Sequence, residues 1–139
     1  MIQEIKYYIS IQPIDRQDIM TEIHSIILEE DKTVVASVEP MMGKEMIVYR
    51  GKGLMKYALA GLKNYMSLHV MPIYGSETLY SKYKSLLPKA NFQKGCINFD
   101  SAEKMPPGVV SKLIVDCSKI DLIKIKEEYL NKKIQNFRD

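Results

Sequence analysis

Four acidic residues near the start of the chain could bind a metal ion. Asp15 is followed by acids three, seven and fourteen residues later, at Asp18, Glu22 and Glu29. In an α-helix these spacings place all four carboxylates on one narrow arc. Carboxylate oxygens are ligands for hard cations such as Fe²⁺ or Ca²⁺, so this acidic ridge is a candidate metal site. The simpler alternative is solvated charge, because acids in a first helical turn also complement the helix dipole.

A second candidate set lies on a predicted strand. Tyr65, Ser67 and His69 alternate with apolar residues, and successive strand side chains point to opposite faces of a sheet. If the apolar set meets the core, the polar set lines the open face, where we expect Tyr49 to join it from a neighbouring strand. Tyr49, Tyr65, Ser67 and His69 therefore form a candidate ligand-binding surface. The alternative is a structural histidine, since no Asp, Glu or Cys lies at metal spacing beside His69.

The two cysteines, Cys96 and Cys117, form no CxxC pair and no zinc-type spacing. Two reduced, buried thiols are the simplest interpretation, and they suit the cytosol. Cys96 and His69 would make a nucleophile–base pair only with a third, orienting group, and the sequence indicates none. Phosphate-binding, dinucleotide-binding and nucleophile-elbow motifs are also absent from the sequence. We therefore predict a protein that is not an enzyme.

Helices must position the acidic residues. Asp15 is the predicted N-cap of a helix over about residues 16–30, with an apolar stripe beside the acidic ridge. Ser76 is the predicted cap of a second helix, which stops before Pro88. Pro106 and Pro107 open a third helix, which extends to Cys117. A last, basic helix is predicted over about residues 119–136, starting with a capping box of Ser118 and Asp121.

Strands must position the polar set. Residues 46–50, 54–61 and 65–71 are apolar or alternating, and Gly51-Lys52-Gly53 and Lys63-Asn64 separate them. This pattern predicts an antiparallel meander of three strands, and Gly95–Phe99 is a fourth strand. Segment 33–38 is β-branched but ends early at Pro40, because proline cannot continue regular pairing. The fold class is therefore α+β, with helices packed on one face of the sheet.

Length and charge limit the partners. A chain of 139 residues predicts one domain with one core. Neither a membrane-length apolar run nor a signal-peptide layout is present, which predicts a cytoplasmic protein with no membrane partner.

The charge of the chain is unevenly distributed. Residues 1–45 carry four Lys or Arg against nine Asp or Glu, and the rest carry sixteen against eight. We do not expect nucleic acid as a partner, because the acidic helix would repel phosphate and the net charge is only +3.

Three segments resemble the YdhG-like family, a domain of unknown function. They are the Pro-containing entry to the sheet at residues 40–44, the second hairpin at residues 61–70, and the Gly-x-Cys strand at residues 94–99. Some members of this family are described as frataxin-like intracellular iron chaperones. The likeness spans about residues 3–117, so the helix over 119–139 is an addition to the shared region.

The resemblance has implications for fold and for function. It implies two helices, three strands, a helix, a strand and two helices in that order, and it favours helix for residues 3–10, where periodicity alone fits helix or strand. It also implies weakly bound iron on the acidic helix and transfer of that iron to a metal-accepting protein. The alternative function is a scaffold or small-ligand-binding domain that uses the polar sheet face. Neither the residues nor the resemblance indicates the oligomeric state.

Overall fold

The computed structural model describes the backbone of residues 1–138 and the side chains of residues 1–136. Its helices are α1 (Gln3–Ser10), α2 (Ile14–Glu30), α3 (Met71–Tyr74), α4 (Glu77–Leu86), α5 (Pro107–Ser118) and α6 (Leu122–Arg138). Its strands are β1 (Val35–Met41), β2 (Lys44–Gly51), β3 (Leu54–Gly61), β4 (Met66–Val70), β5 (Asn91–Gln93) and β6 (Cys96–Phe99). Among the described residues, no helix is long and apolar enough to cross a membrane.

The strands form one antiparallel sheet in the order β1-β2-β3-β4-β6-β5. Strands β1 to β4 are consecutive neighbours, so the predicted meander and the α+β class are confirmed. After β4 the chain passes through α3, α4 and β5 before β6 returns to pair with β4. This return places residues near 96 beside residues near 69.

The described chain has six strands where the sequence predicted four. Strand β1 extends through Pro40, which lies opposite Glu45. Proline is tolerated there because β1 is at the sheet edge, where a missing donor breaks no second ladder. Strand β5 has only three residues, which is too short for a periodic pattern to reveal it.

One face of the sheet is covered by helices. Fully buried strand residues on this face include Ile47, Tyr57, Leu59, Leu68 and Ile97. They pack in one cluster with apolar residues of α1, α2, α4 and α5. This cluster is the main core of the protein. The opposite face of the sheet does not contribute to it.

Two of the three predicted helix caps were wrong. Helix α2 starts at Ile14 with Pro13 in the N-cap position, so Asp15 lies in its first turn. At α6, Asp121 alone caps the helix, because its carboxylate accepts from the backbone N–H of Ile123 at 3.0 Å and that of Lys124 at 3.4 Å. Ser118 instead donates its hydroxyl to the Val115 carbonyl, at the end of α5. At α4, the Ser76 hydroxyl accepts from the Leu79 N–H at 3.3 Å, as predicted.

Candidate functional site

The second face of the sheet, opposite the helices, carries a small apolar cluster. Buried Met46, Val48, Ala58 and Ala60 form its centre, with Met41, Met55 and Leu62 packed against them. The only side chains that β3 presents to the middle of this face are the two alanines, which pair next to Ser67 and His69 of β4. Both alanines are fully buried, so the larger side chains of this cluster cover β3 on this face.

His69 and Cys96 meet on the same face of the sheet, beside this cluster. They lie opposite each other in the register between β4 and β6, and Cys96 Sγ is 3.2 Å from His69 Nδ1. The sequence separates these residues by 27 positions, so only the pairing of β4 with β6 brings them together. The sequence analysis considered this pair only as a nucleophile and a base. It did not select the two residues as metal ligands, because the metal-spacing rule tests neighbours along the chain.

A pocket of about 180 Å³ opens beside the pair. Its lining includes Tyr65, Ser67 and His69, three of the four residues predicted for the polar sheet face. It also includes residues that the sequence analysis did not select, namely Met41, Met42 and Met46. The sequence did contain a signal for them, because these three methionines lie within six positions of the β1–β2 hairpin at the edge of the sheet. Ser67 and His69 are nearly fully buried, so this face is less open than predicted.

Burial keeps both members of the pair neutral. It lowers the pKa of His69, and it raises the pKa of Cys96, although a hydrogen bond with Ser67 acts in the opposite direction. The neutral thiol can donate to the lone pair on Nδ1. A neutral pair is a weak nucleophile, because the thiolate is the reactive form. The same two atoms are good ligands for a metal ion, since coordination requires the loss of only one proton.

The placement of Tyr49 in the polar set was wrong. Val48 lies opposite Ala58, and Ala58 lies opposite His69, so the next residue along β2 points to the other face. Tyr49 is fully buried under the helices, and its Oη lies 2.7 Å from Nδ1 of His24. Sequence alternation predicted the faces within one strand correctly, but it could not supply the register between β2 and β4.

The acidic ridge does not form a ligand cluster. Asp15, Asp18, Glu22 and Glu29 are all exposed on α2. Among the described residues, no three His, Cys, Asp or Glu side chains lie close enough together to hold a metal ion. The structure therefore brings these four carboxylates to one helix but not to one site.

Arg16 of α2 holds the turn between β3 and β4, which lies next to the pocket. Its side chain is buried, and its guanidinium donates to the carbonyl oxygens of Leu62 at 2.6 Å, Lys63 at 3.4 Å and Tyr65 at 3.5 Å. These residues connect β3 to β4. The planar guanidinium can serve several carbonyls at once, so α2 holds the loop that places Tyr65 at the pocket rim.

A larger cavity of about 320 Å³ lies between the β2–β3 hairpin and the start of α6. Its lining includes Lys52 and Lys56, which suggest an anion site. However, Lys56 Nζ is 2.9 Å from Asp31 Oδ2, and Lys52 Nζ is 3.3 Å from Asp121 Oδ2. Both of these ammonium groups therefore already have a carboxylate partner, and the third lysine of the lining is Lys119.

The pocket on the second face thus offers three kinds of donor atom: a thiol, an imidazole nitrogen and thioether sulfurs. It combines them in a small volume, which suits an ion better than a substrate. No family model, curated protein or solved structure matches this chain.

Proposed function

We propose that this protein is a non-enzymatic metal-binding module, and that the ion binds between Cys96 and His69 on the second face of the sheet. The 3.2 Å separation of Sγ and Nδ1 carries this proposal. Metal–sulfur and metal–nitrogen bonds of about 2.3 and 2.0 Å at a tetrahedral angle place the two atoms roughly 3.5 Å apart. An opening of a few tenths of an ångström would therefore admit an ion.

The size of the pocket favours an ion over an organic ligand. Sites for drug-sized molecules have volumes of about 300–1,000 Å³, whereas this pocket measures about 180 Å³. The scaffold or small-ligand function that the sequence analysis kept as an alternative would use the same pocket. It would require movement of the surrounding side chains, in particular the exposed Met42.

The resemblance to YdhG-like iron chaperones remains a prediction, and it places the metal elsewhere. In that hypothesis iron is held weakly by the carboxylates of α2 and is passed to a metal-accepting protein. Both hypotheses describe a metal carrier, but they differ in the ligand atoms and in the face of the molecule. We also propose a cytoplasmic location, because Cys96 and Cys117 are free thiols and disulfides are rare in that compartment.

Amide chemical shifts can separate the two sites. The full chain, labelled with ¹⁵N, is titrated without oxygen with Fe²⁺, Zn²⁺ and Cu⁺ in separate experiments. We expect Zn²⁺ or Cu⁺ to move the amides of residues 67–70 and 95–98, and we expect Cys96→Ser to abolish these shifts. Asp18→Asn is the matched control, and it should leave them unchanged. Shifts confined to α2, or none at millimolar metal, would overturn the proposal.

A further inference from the structure

We propose a second binding site, for a small organic acid with one carboxylate and a short apolar tail. It lies in the cavity of about 320 Å³ between the β2–β3 hairpin and the start of α6. This cavity shares no lining residue with the pocket beside Cys96 and His69, so the site does not depend on the proposed metal-binding function. Three features of the cavity support it: the donors of two lysines, the balance of charge, and an apolar wall.

Lys56 supplies a buried cation to the cavity lining. Its side chain is 5% exposed, and its Nζ lies 2.9 Å from Asp31 Oδ2. An ammonium group carries three N–H donors, and among the described residues Lys56 makes no hydrogen bond to another acceptor. Asp31 also accepts from the Tyr57 hydroxyl at 2.7 Å and from the Thr33 N–H at 3.0 Å. Because other donors share in stabilising Asp31, the remaining donors of Lys56 can bind a carboxylate in the cavity.

Lys119 supplies a second cation, and it has no carboxylate partner among the described residues. It directly follows α5 and lines the cavity, and its side chain makes none of the salt bridges of the described chain. The acid one turn earlier on α5, Asp116, is paired with Lys82 at 2.9 Å and accepts from the Tyr83 hydroxyl. Lys119 is exposed, so its side chain can turn toward a ligand without disturbing the packing of the core.

The charges around the cavity favour a ligand with a single negative charge. The lining contains three ammonium groups, those of Lys52, Lys56 and Lys119. Two carboxylates are paired with them, those of Asp31 and Asp121, so one positive charge remains. A carboxylate ligand would neutralise this charge. A phosphate monoester carries a charge of about −2 at pH 7, and its excess negative charge would be repelled by the two carboxylates.

The wall formed by the start of α6 indicates a ligand with an apolar tail. Ile120, Leu122 and Ile123 line the cavity, and each of them is only partly buried. Covering these side chains with an apolar tail removes apolar surface from water on both sides, which favours binding. The cavity volume of about 320 Å³ is at the lower end of the range for small-molecule sites, about 300–1,000 Å³. The tail must therefore be short.

Titration with hexanoate at pH 7 tests the site. The full chain, labelled with ¹⁵N, is followed by amide chemical shifts as hexanoate is added. We expect the amides of residues 51–56 and 118–123 to move, and those of residues 67–70 and 95–98 to stay in place. The Kd should be on the order of a millimolar, because so small a ligand makes few contacts.

Three matched compounds separate the contributions of charge and tail. Hexanamide has the same length but no charge, and it should bind about tenfold more weakly, because a hydrogen bond between neutral and charged groups is weaker than one between two charged groups. Acetate has the charge without the tail, and it should also bind about tenfold more weakly, because it covers little of the apolar wall. Hexyl phosphate has the tail with the larger charge, and it should bind no more tightly than hexanoate.

Two exposed lysines give a matched pair of variants. Lys119→Gln removes the unpaired cation and should weaken hexanoate binding about threefold, the usual size of an exposed charge contribution. Lys112 is exposed on α5 but does not line the cavity, so Lys112→Gln should bind as tightly as the wild type. Nuclear Overhauser contacts need no variant, and we expect them between the hexanoate chain and the methyl groups of Ile120, Leu122 and Ile123.

Several results would overturn this proposal. Equal binding of hexanoate and hexanamide would show that the lysines do not recognise the ligand, and equal binding of hexanoate and acetate would show that the apolar wall does not. Tighter binding of hexyl phosphate than of hexanoate would contradict the choice of a single negative charge. Equal effects of Lys119→Gln and Lys112→Gln, or no amide shifts around the cavity, would remove the site. None of these results bears on metal binding beside Cys96, so either proposal can fail alone.

Discussion

Lys56 and Asp31 form an ion pair in the interior of the protein, with Nζ 2.9 Å from Oδ2 and side chains 5% and 0% exposed. A register shift between β2 and β3 creates this contact. Tyr49 lies opposite Tyr57, but Arg50 lies opposite Met55, so Lys56 is the extra residue of a β-bulge. The bulge turns its ammonium toward the carboxylate that follows α2.

We expect Lys56→Met to lower the free energy of unfolding by about 3–5 kcal/mol, because it leaves a buried carboxylate without its counterion. Asp31 would keep its hydrogen bonds from the Tyr57 hydroxyl at 2.7 Å and the Thr33 N–H at 3.0 Å. Urea denaturation followed by circular dichroism measures the loss.

An exposed pair gives the control. Lys104 and Asp100 form an i,i+4 salt bridge whose side chains are 32% and 57% exposed. Asp100→Asn should cost no more than about 0.5 kcal/mol. A Lys56→Met loss as small as that of this control would show that the buried pair contributes little.

Ser76→Ala should destabilise the protein by about 1 kcal/mol, because it removes the hydroxyl that caps α4. The unfolding midpoint in urea measures this change. Ser101 precedes the short 3₁₀ turn Ala102–Lys104, and its side chain makes no cap hydrogen bond, so Ser101→Ala is a matched control. Equal losses in the two variants would contradict the capping role.

The sequence predicted those parts of the fold that depend on short-range patterns. Alternation and turn residues indicated β2, β3 and β4, and the segment with Ser76 indicated α4. Features that need long-range pairing were missed, such as the register that turns Tyr49 inward and the bulge at Lys56. A one-residue change of register reverses every side chain of a strand, and no local pattern reports it.

The candidate site was predicted only in part for the same reason. Ser67 and His69 could be placed on one face from alternation within β4. Cys96 joins them through a strand that returns after two helices and another strand.

His24 should titrate below its ordinary pKa. Burial disfavours the imidazolium form, so the folded pKa lies under 6.5. The unfolded chain binds this proton more readily than the folded protein does. The free energy of unfolding is therefore not reduced by His24 above pH 6.5, and it decreases as the pH falls from 6.5 toward the folded pKa. An NMR titration of the His24 ring should give a midpoint under 6.5, and His24→Gln should reduce the loss of stability below pH 6.5. A midpoint at or above 6.5 would contradict this prediction.

Arg16→Met should loosen the β3–β4 turn and so disturb the pocket. The variant leaves the partly buried Leu62 carbonyl without its 2.6 Å donor, and the loss of a hydrogen bond to a charged group costs about 1–3 kcal/mol. We expect this loss in urea denaturation, together with amide shifts at Tyr65 and Ser67. Arg16→Lys keeps the charge but not the fork of donors, so it should restore only part of the stability. Unchanged amides at Tyr65 and Ser67 would show that the turn holds its shape without Arg16.

The two cysteines should differ in their reactivity toward iodoacetamide. Burial raises the pKa of Cys117 to about 12, and its side chain is fully buried. Cys96 is partly exposed at the pocket, although burial raises its pKa as well. Because the reagent needs an accessible thiolate, mass spectrometry of the folded protein should find Cys96 modified first. In denaturing urea the alkylation rates of the two cysteines should become similar. Equal rates in the folded protein would contradict the prediction, because they would show that Cys96 is no more accessible than Cys117.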